Sequence, residues 1–207
     1  VPWSYSRASK GGYYLDDFVN QETNMEFRAS YRLFPGDFDI SLTAGTSGMH
    51  QQGKSQYMGG AELTIPGLYR ISNIPTGNRQ TTNNTYEKRI YSVFGLASIG
   101  FDDKLYLDVT ARNDWSSTLP ANDRSYFYPS ASLSWLVNNT VKLPTAFSLF
   151  KLRGGVAQVG NDTGPYQLYN ALGTGNWGDL ITINIDQNLR NPILKPEIAT
   201  SYEGGID

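Results

Sequence analysis

Residues 173–178, Gly173-Thr174-Gly175-Asn176-Trp177-Gly178, satisfy the pattern G-x-G-x-x-G. Glycines at that spacing bind a pyrophosphate only between a buried parallel strand and a helix start, where backbone amides converge on the anion. Here the run lies in a stretch rich in Gly and Asn with no helix signal, so it reads as loop chemistry. His50 is the only histidine. It cannot form a His-rich metal site, and no nucleophile is suitably placed beside it. Acidic residues are scattered: Asp16-Asp17, Asp102-Asp103, Asp114, Asp162, Asp179 and Asp186. Two carboxylates could do glycosidase work and a loop cluster could hold Ca²⁺, but no spacing here assembles either. Asp102-Asp103 reads as the end of a turn. No catalytic residue, metal ligand or cofactor is therefore expected. Three matches to the N-glycosylation pattern, at Asn83, Asn138 and Asn161, are what Asn/Thr-rich loops produce by chance. Six aromatics outside the strand patterns are more informative: Tyr57, Tyr69, Trp115, Tyr166, Tyr169 and Trp177. Flat rings with a polar edge stack on sugars or peptides; the same rings also anchor loops onto each other or onto a partner.

The elements that position these side chains are strands. Residues 25–33, 38–44, 90–101, 105–112, 127–137, 150–159 and 198–206 read as seven short amphipathic segments. In the fourth, Leu105, Leu107, Val109 and Ala111 alternate with Tyr106, Asp108, Thr110 and Arg112. In the first, Met25, Phe27, Ala29, Tyr31 and Leu33 oppose Glu26, Arg28, Ser30 and Arg32. Period two is the strand signature. The turns alternate in length. Pro35-Gly36-Asp37 and Asp102-Asp103-Lys104 are tight, whereas residues 45–88, 113–126 and 160–197 form long polar excursions. Residues 1–24 read as the tail of an earlier loop and a strand approach, and residues 138–147, with Pro144, as a polar connection with one helical turn.

Composition narrows the function classes. Charges nearly cancel, 17 Lys+Arg against 19 Asp+Glu, so nothing attracts nucleic acid. With no cysteine, neither disulfides nor thiolate metal sites are available. No run of 18 apolar residues provides a transmembrane helix, but a barrel strand crosses with about 9–11 alternating residues. The chain starts at Val1 without Met or signal peptide, and an odd number of strands leaves two edges, which natural sheets avoid. The expectation is a section of a larger polypeptide.

Alternation alone leaves two architectures open. A soluble sandwich buries its apolar face under a second sheet; a membrane barrel turns that face to lipid and encloses the polar one. Tight turns on one side with long loops on the other favour the barrel. So do the aromatics near strand ends (Trp115, Tyr126, Phe127, Tyr128, Phe147), because such rings favour membrane interfaces.

Several longer runs carry a family resemblance. Tyr91-Ser92-Val93-Phe94-Gly95-Leu96-Ala97, followed by Leu105-Tyr106-Leu107-Asp108-Val109-Thr110-Ala111-Arg112-Asn113-Asp114-Trp115-Ser116-Ser117, resembles the barrel of SusC/RagA-type TonB-linked transporters. Tyr128-Pro129-Ser130-Ala131-Ser132-Leu133-Ser134-Trp135 is similar to that family's Phe-Pro-Ser-x-Ser-x-Gly-Trp segment. Leu152-Arg153-Gly154-Gly155-Val156-Ala157-Gln158-Val159-Gly160-Asn161 and Asn191-Pro192-Ile193-Leu194-Lys195-Pro196-Glu197 resemble two later segments, and Pro66-Gly67-Leu68-Tyr69-Arg70-Ile71-Ser72-Asn73 an upstream extracellular loop. Departures fall at Asn113, at Ser134 in place of Gly, and at Gly155-Val156 in place of Ser-Tyr.

The resemblance implies an all-β fold: an antiparallel up-and-down transmembrane β-barrel in the outer membrane of a Gram-negative cell. Residues 1–207 would form about seven or eight strands of a single 22-stranded barrel domain, with the family's plug domain and TonB box outside this sequence. It implies active, TonB-driven import of a bulky oligosaccharide or peptide, not conversion of a substrate. Glu26, Arg28, Arg32, Asp108 and Arg112 would line the lumen. The loop aromatics would contact ligand or partner, and the apolar face outer-membrane lipid. The implied partners are a SusD-type surface lipoprotein and the TonB complex. A soluble β-sandwich that binds glycans or mediates adhesion is the alternative, and a barrel-type lipase or protease the third.

Overall fold

The computed structural model describes residues 9–142, 144, 149–177, 180–185 and 188–207, the side chain of Asn176 excepted. Nine strands are described: β1 (Gly12–Leu33), β2 (Phe38–Ala61), β3 (Gln80–Phe101), β4 (Leu105–Ser116), β5 (Ser125–Leu136), β6 (Lys151–Asn161), β7 (Leu172–Trp177), β8 (Leu180–Ile185) and β9 (Glu197–Ile206). Seven form one sheet in the order β1-β2-β3-β4-β5-β6-β9, and β7 pairs with β8 in a separate hairpin. The ladders from β3 to β9 are antiparallel. Each strand thus lies beside its sequence neighbour, except where the β7–β8 hairpin intervenes between β6 and β9.

The tight turns share one end of the sheet. The Asp102 amide donates to the Asp37 carbonyl at 2.9 Å, and the Phe38 and Phe101 rings meet with centroids 4.8 Å apart. The Leu136 amide donates to the Lys104 carbonyl at 2.8 Å, and Asn139 Nδ2 to the Asp103 carbonyl at 2.8 Å. This brings the start of the 138–147 connection to the same end. Its helical turn is a single 3₁₀ turn, Val137–Asn139; residues 143 and 145–147 of it, including the expected girdle residue Phe147, lie outside the described residues. Asp102 and Asp103 both have positive φ, 49° and 51°, and the Lys104 amide donates to the Phe101 carbonyl. Two successive left-handed residues make a type I′ turn, whose twist matches that of the flanking strands, and Asp is among the few residues that tolerate it.

The expected long excursion at residues 45–88 is corrected. Residues 45–61 continue β2 and residues 80–88 belong to β3, so the connection shrinks to residues 62–79. Residues 12–24, expected as loop tail and approach, belong to β1; residues 1–8 lie outside the described residues. The physical reason is that these stretches are rich in small, hydroxylated and amide residues and carry no strict apolar alternation, so backbone pairing and not a hydrophobic face marks them as strand. The excursion at 113–126 likewise narrows to residues 117–124.

The chain divides into two units, residues 1–23 with 51–87, and residues 24–50 with 88–207. In the first, the 62–79 connection is an ordered loop built around Asn73. Its Oδ1 accepts the Ile65 amide at 3.0 Å, and its Nδ2 donates to the Ile65 and Leu68 carbonyls at 2.8 and 2.7 Å. Leu63 and Ile74 are buried beneath it. In the second, the sheet leaves large apolar side chains open: Met25, Phe27, Tyr31, Val93, Leu133 and Val156 are all exposed. A sandwich requires a second sheet over such a face. Among the described residues the only other sheet is the β7–β8 hairpin, itself apolar and exposed at Ile181, Ile183 and Ile185.

Candidate functional site

Register assigns each side chain to a face. Ser98 pairs with Asp108, Phe94 with Arg112 and Ser92 with Asp114 on β3 and β4. Asp108 pairs in turn with Ser132, Thr110 with Ser130 and Arg112 with Tyr128 on β5. These residues share one face. Arg32 and Asp39 are hydrogen-bonded, the hydroxyls of Ser30 and Thr43 lie 2.7 Å apart, and a Cβ at Gly100 would stand 3.7 Å from the Asp39 Cβ. That brings the polar side of the first hairpin onto the same face, and Glu26, paired with Arg28 at 3.8 Å, continues its alternation. The structure thus gathers Glu26, Arg28, Arg32, Asp108 and Arg112 on one polar face. Arg32, Asp39, Ser98, Tyr106 and Asp108 line one hollow there. The opposite face carries Leu105, Leu107, Val109, Leu133 and Trp135, with Tyr91 beside Trp115.

The densest chemistry lies on the polar face where β3, β4 and β5 leave the tight-turn end furthest behind. Arg112 Nε donates to Asp114 Oδ1 at 2.7 Å and its Nη2 to Ser92 Oγ at 2.8 Å. Tyr128 donates its phenol to Asp114 Oδ2 at 2.7 Å. The Arg112 guanidinium also sits 5.8 Å over the Phe94 ring, within cation–π range. Lys88 Nζ donates to Asp162 Oδ1 at 2.6 Å, while the Ser116 and Thr118 hydroxyls donate to Asp162 Oδ2. Asp114, Ser92, Ser116, Thr118 and Tyr126 are all buried. Every buried charge in this cluster has a charged partner and hydroxyl donors, the arrangement that makes a desolvated ion pair tolerable. Pairing leaves a polar, charge-balanced wall with no activated nucleophile, and no group of His or acidic residues able to hold a metal occurs among the described residues.

Sequence reading missed this cluster as a unit. Asp114 and Asp162 stood out only as scattered acids, and Lys88 carried no signal, because its partner lies 74 positions away. Tyr126 and Tyr128, expected among interface aromatics, instead turn toward Arg112 and Asp114, and their rings stack 6.0 Å apart. A visible hint was the alternation itself, which puts Tyr126 and Tyr128 out of phase with Phe127.

The six aromatics do not form one site. Trp115 belongs to β4 and Tyr57 to β2, so neither is a loop residue; Tyr57 stacks on Tyr14 at 6.0 Å. Tyr69 lies in the 62–79 loop, exposed, 6.3 Å from Tyr13. Tyr166 and Tyr169 lie in the 162–171 stretch and Trp177 ends β7, and all three project into solvent. Arg190 holds this region together, donating to the Tyr166 carbonyl at 3.0 Å and to the Gln167 side chain, while its amide donates to Asn170 Oδ1. The G-x-G-x-x-G run forms β7 of an antiparallel hairpin, with Gly178 outside the described residues, so no pyrophosphate cradle exists in the part described.

Comparison with known proteins agrees with this geometry. The family model for the TonB dependent receptor-like β-barrel matches residues 2–207. A curated relative, TonB-dependent receptor P3 of Formosa agariphila, is 25% identical over 166 residues, covering 77% of this chain and 16% of the relative. Among solved structures, the RagAB peptide transporter superposes with a TM-score of 0.82 at 21% identity, over 93% of this chain and 22% of that one. The RagAB peptide importer in its open-open state superposes at 0.79 with the same identity and coverage. The chain therefore spans less than a quarter of the length of these relatives. As the SusC/RagA resemblance implied, the chain belongs to the TonB-dependent receptor-like β-barrel family.

Proposed function

We propose that this sheet is part of the wall of an outer-membrane importer that takes up a bulky oligosaccharide or peptide with energy from the TonB complex. The observation that carries the reading is the segregation of paired charges on one face of a single sheet whose other face exposes large apolar side chains. Lipid on the apolar side and water in a lumen on the polar side satisfy both at once. From Leu105 to Trp115 the strand is about 33 Å long at about 3.3 Å per residue. Tilted by about 45°, it covers about 23 Å, close to an apolar band of about 25 Å. Tyr91, Trp115 and Phe127 then lie at one interface and Phe38, Phe101 and Trp135 at the other, as aromatic girdles do. The tight turns face the periplasm, because barrels place short turns there. Strands β1, β2 and β3, of 22, 24 and 22 residues, are roughly twice what a crossing needs.

Glu26, Arg28, Arg32, Asp108 and Arg112 line the lumen in this reading, and the 162–196 connection faces outward, where Tyr166, Tyr169 and Trp177 offer stacking surfaces. The solved structures that superpose are named as those of the RagAB peptide transporter or importer, which supports a peptide among the two substrate classes. A SusD-type lipoprotein over the loops and a TonB complex acting through the family's plug complete the scheme. The test is uptake by cells carrying the full-length protein, with and without TonB. Uptake of a peptide or oligosaccharide that stops when TonB is removed supports the proposal; TonB-independent uptake counts against it.

A further inference from the structure

Asp162 is the first residue beyond β6, where the chain leaves the main sheet for the excursion that bears Tyr166, Tyr169 and the β7–β8 hairpin. Its carboxylate is 5% exposed and its Lys88 partner 17% exposed. Three segments converge on it: Lys88 in β3, Ser116 at the end of β4, and Thr118 in the β4–β5 loop. Lys88 Nζ also reaches the Thr163 carbonyl at 3.4 Å, a second tie to the same departure point. On the other side of Asn161, Gly160 lies under Tyr126, where an added Cβ would stand 2.5 Å from the ring. None of this resembles a surface ion pair, which would contribute little and fluctuate. Stripping a partner from a buried carboxylate that holds a short charged bond and two hydroxyl donors leaves an uncompensated charge, which is strongly unfavourable.

We infer that Asp162 is a positioning residue: with Lys88, Ser116 and Thr118 it fixes where the 162–196 excursion leaves the sheet, and so sets the placement of the aromatics that face ligand or partner. The excursion's role in capture rests on the import reading above; the anchoring itself does not. Tyr166 and Tyr169 lie only a few positions beyond the anchor, so its loss leaves them to the Arg190 contacts at the Tyr166 carbonyl, Gln167 and Asn170 and opens them more often.

The experiment uses the full-length protein purified in detergent without lipoprotein or ligand. Chymotryptic nicking after Tyr166 and Tyr169 is followed in wild type, Asp162→Ala and Lys88→Met, and barrel integrity is followed by heat-modifiable migration on a gel. Each single variant should keep the barrel and be nicked at least about tenfold faster, because cleavage tracks the population of the open segment. The double variant Lys88→Met with Asp162→Asn removes both charges yet keeps the hydroxyl bonds; its nicking should fall back toward wild type. Rates within about twofold of wild type in both single variants, with the barrel intact, overturn the inference. Loss of the barrel in both also overturns it, since Asp162 would then hold the wall and not the excursion. Transport is assayed separately: a well-anchored excursion in a protein that imports nothing leaves the anchor standing and removes the function proposed for it.

Discussion

At the scale of single residues, glycine and left-handed positions decide what the polar face can hold. A Cβ at Gly45 would stand 2.4 Å from Phe94 Cζ and 2.7 Å from the Phe27 carbonyl oxygen. The absence of a side chain at Gly45 therefore makes room for the Phe94 ring, over which Arg112 rests. Gly45→Val should displace the ring, loosen the Arg112–Asp114 pair and cost about 1–3 kcal/mol, the usual range for overpacking. Urea unfolding of the full-length barrel in lipid would measure it; a change near zero would mean that Phe94 moves freely. Asp103 gives a second case. With φ at 51°, it suits Asp, Asn or Gly, so Asp103→Val should lower stability by about 1–2 kcal/mol whereas Asp103→Gly should not. The same unfolding titration distinguishes them.

At the scale of elements, each strand has two faces with different solvents in this reading. Leu107→Lys puts a charge on the apolar face near mid-span and should cost about 2–4 kcal/mol, falling toward the strand ends. Asp108→Lys, one position on, faces Ser98 and Ser132 and should cost far less. Equal costs in a refolding titration would reverse or abolish the assignment of faces. The 62–79 connection makes a separate claim. Asn73 is buried and serves two carbonyls and one amide, so Asn73→Ala strands those groups and should cost about 1–3 kcal/mol locally. Hydrogen exchange at the Ile65 amide should accelerate; unchanged protection would show that the loop is held by Leu63 and Ile74 alone.

At the scale of the whole molecule, the import reading asks one excursion to serve capture at the mouth of the proposed lumen. Exposed rings at Tyr166, Tyr169 and Trp177 suit stacking on a flat ligand or docking of a partner, and they lie in one excursion. Deleting residues 166–179 from the full-length protein should reduce ligand uptake and co-purification of the lipoprotein while leaving the barrel assembled. Unchanged uptake and unchanged co-purification would show that this stretch only packs. Among the described residues the charges of the polar face are mixed and paired, so they give no single-sign field.

Much of the fold was legible in the sequence because membrane-crossing segments are written in period two: Leu105 to Arg112 names its strand, its faces and, with Asp102-Asp103, its turn. The seven strands of the main sheet and the shared end of the tight turns follow from such local patterns. Residues 12–24, 45–61 and 80–88 carry no strict apolar alternation, so these parts of β1, β2 and β3 read as loop until the strand order shows them as ladder. The β7–β8 hairpin was hidden similarly, inside a Gly- and Asn-rich stretch. The charged cluster was beyond sequence reading for a different reason. Lys88 lies on β3, Asp114 and Ser116 on β4, and Asp162 just beyond β6, far apart in sequence, and only the way these segments come together decides which of them meet. Residue types declared which side chains could bear charge; only the tertiary structure, by desolvating Asp114 and Asp162 beside their donors, decided which charges are fixed in the wall.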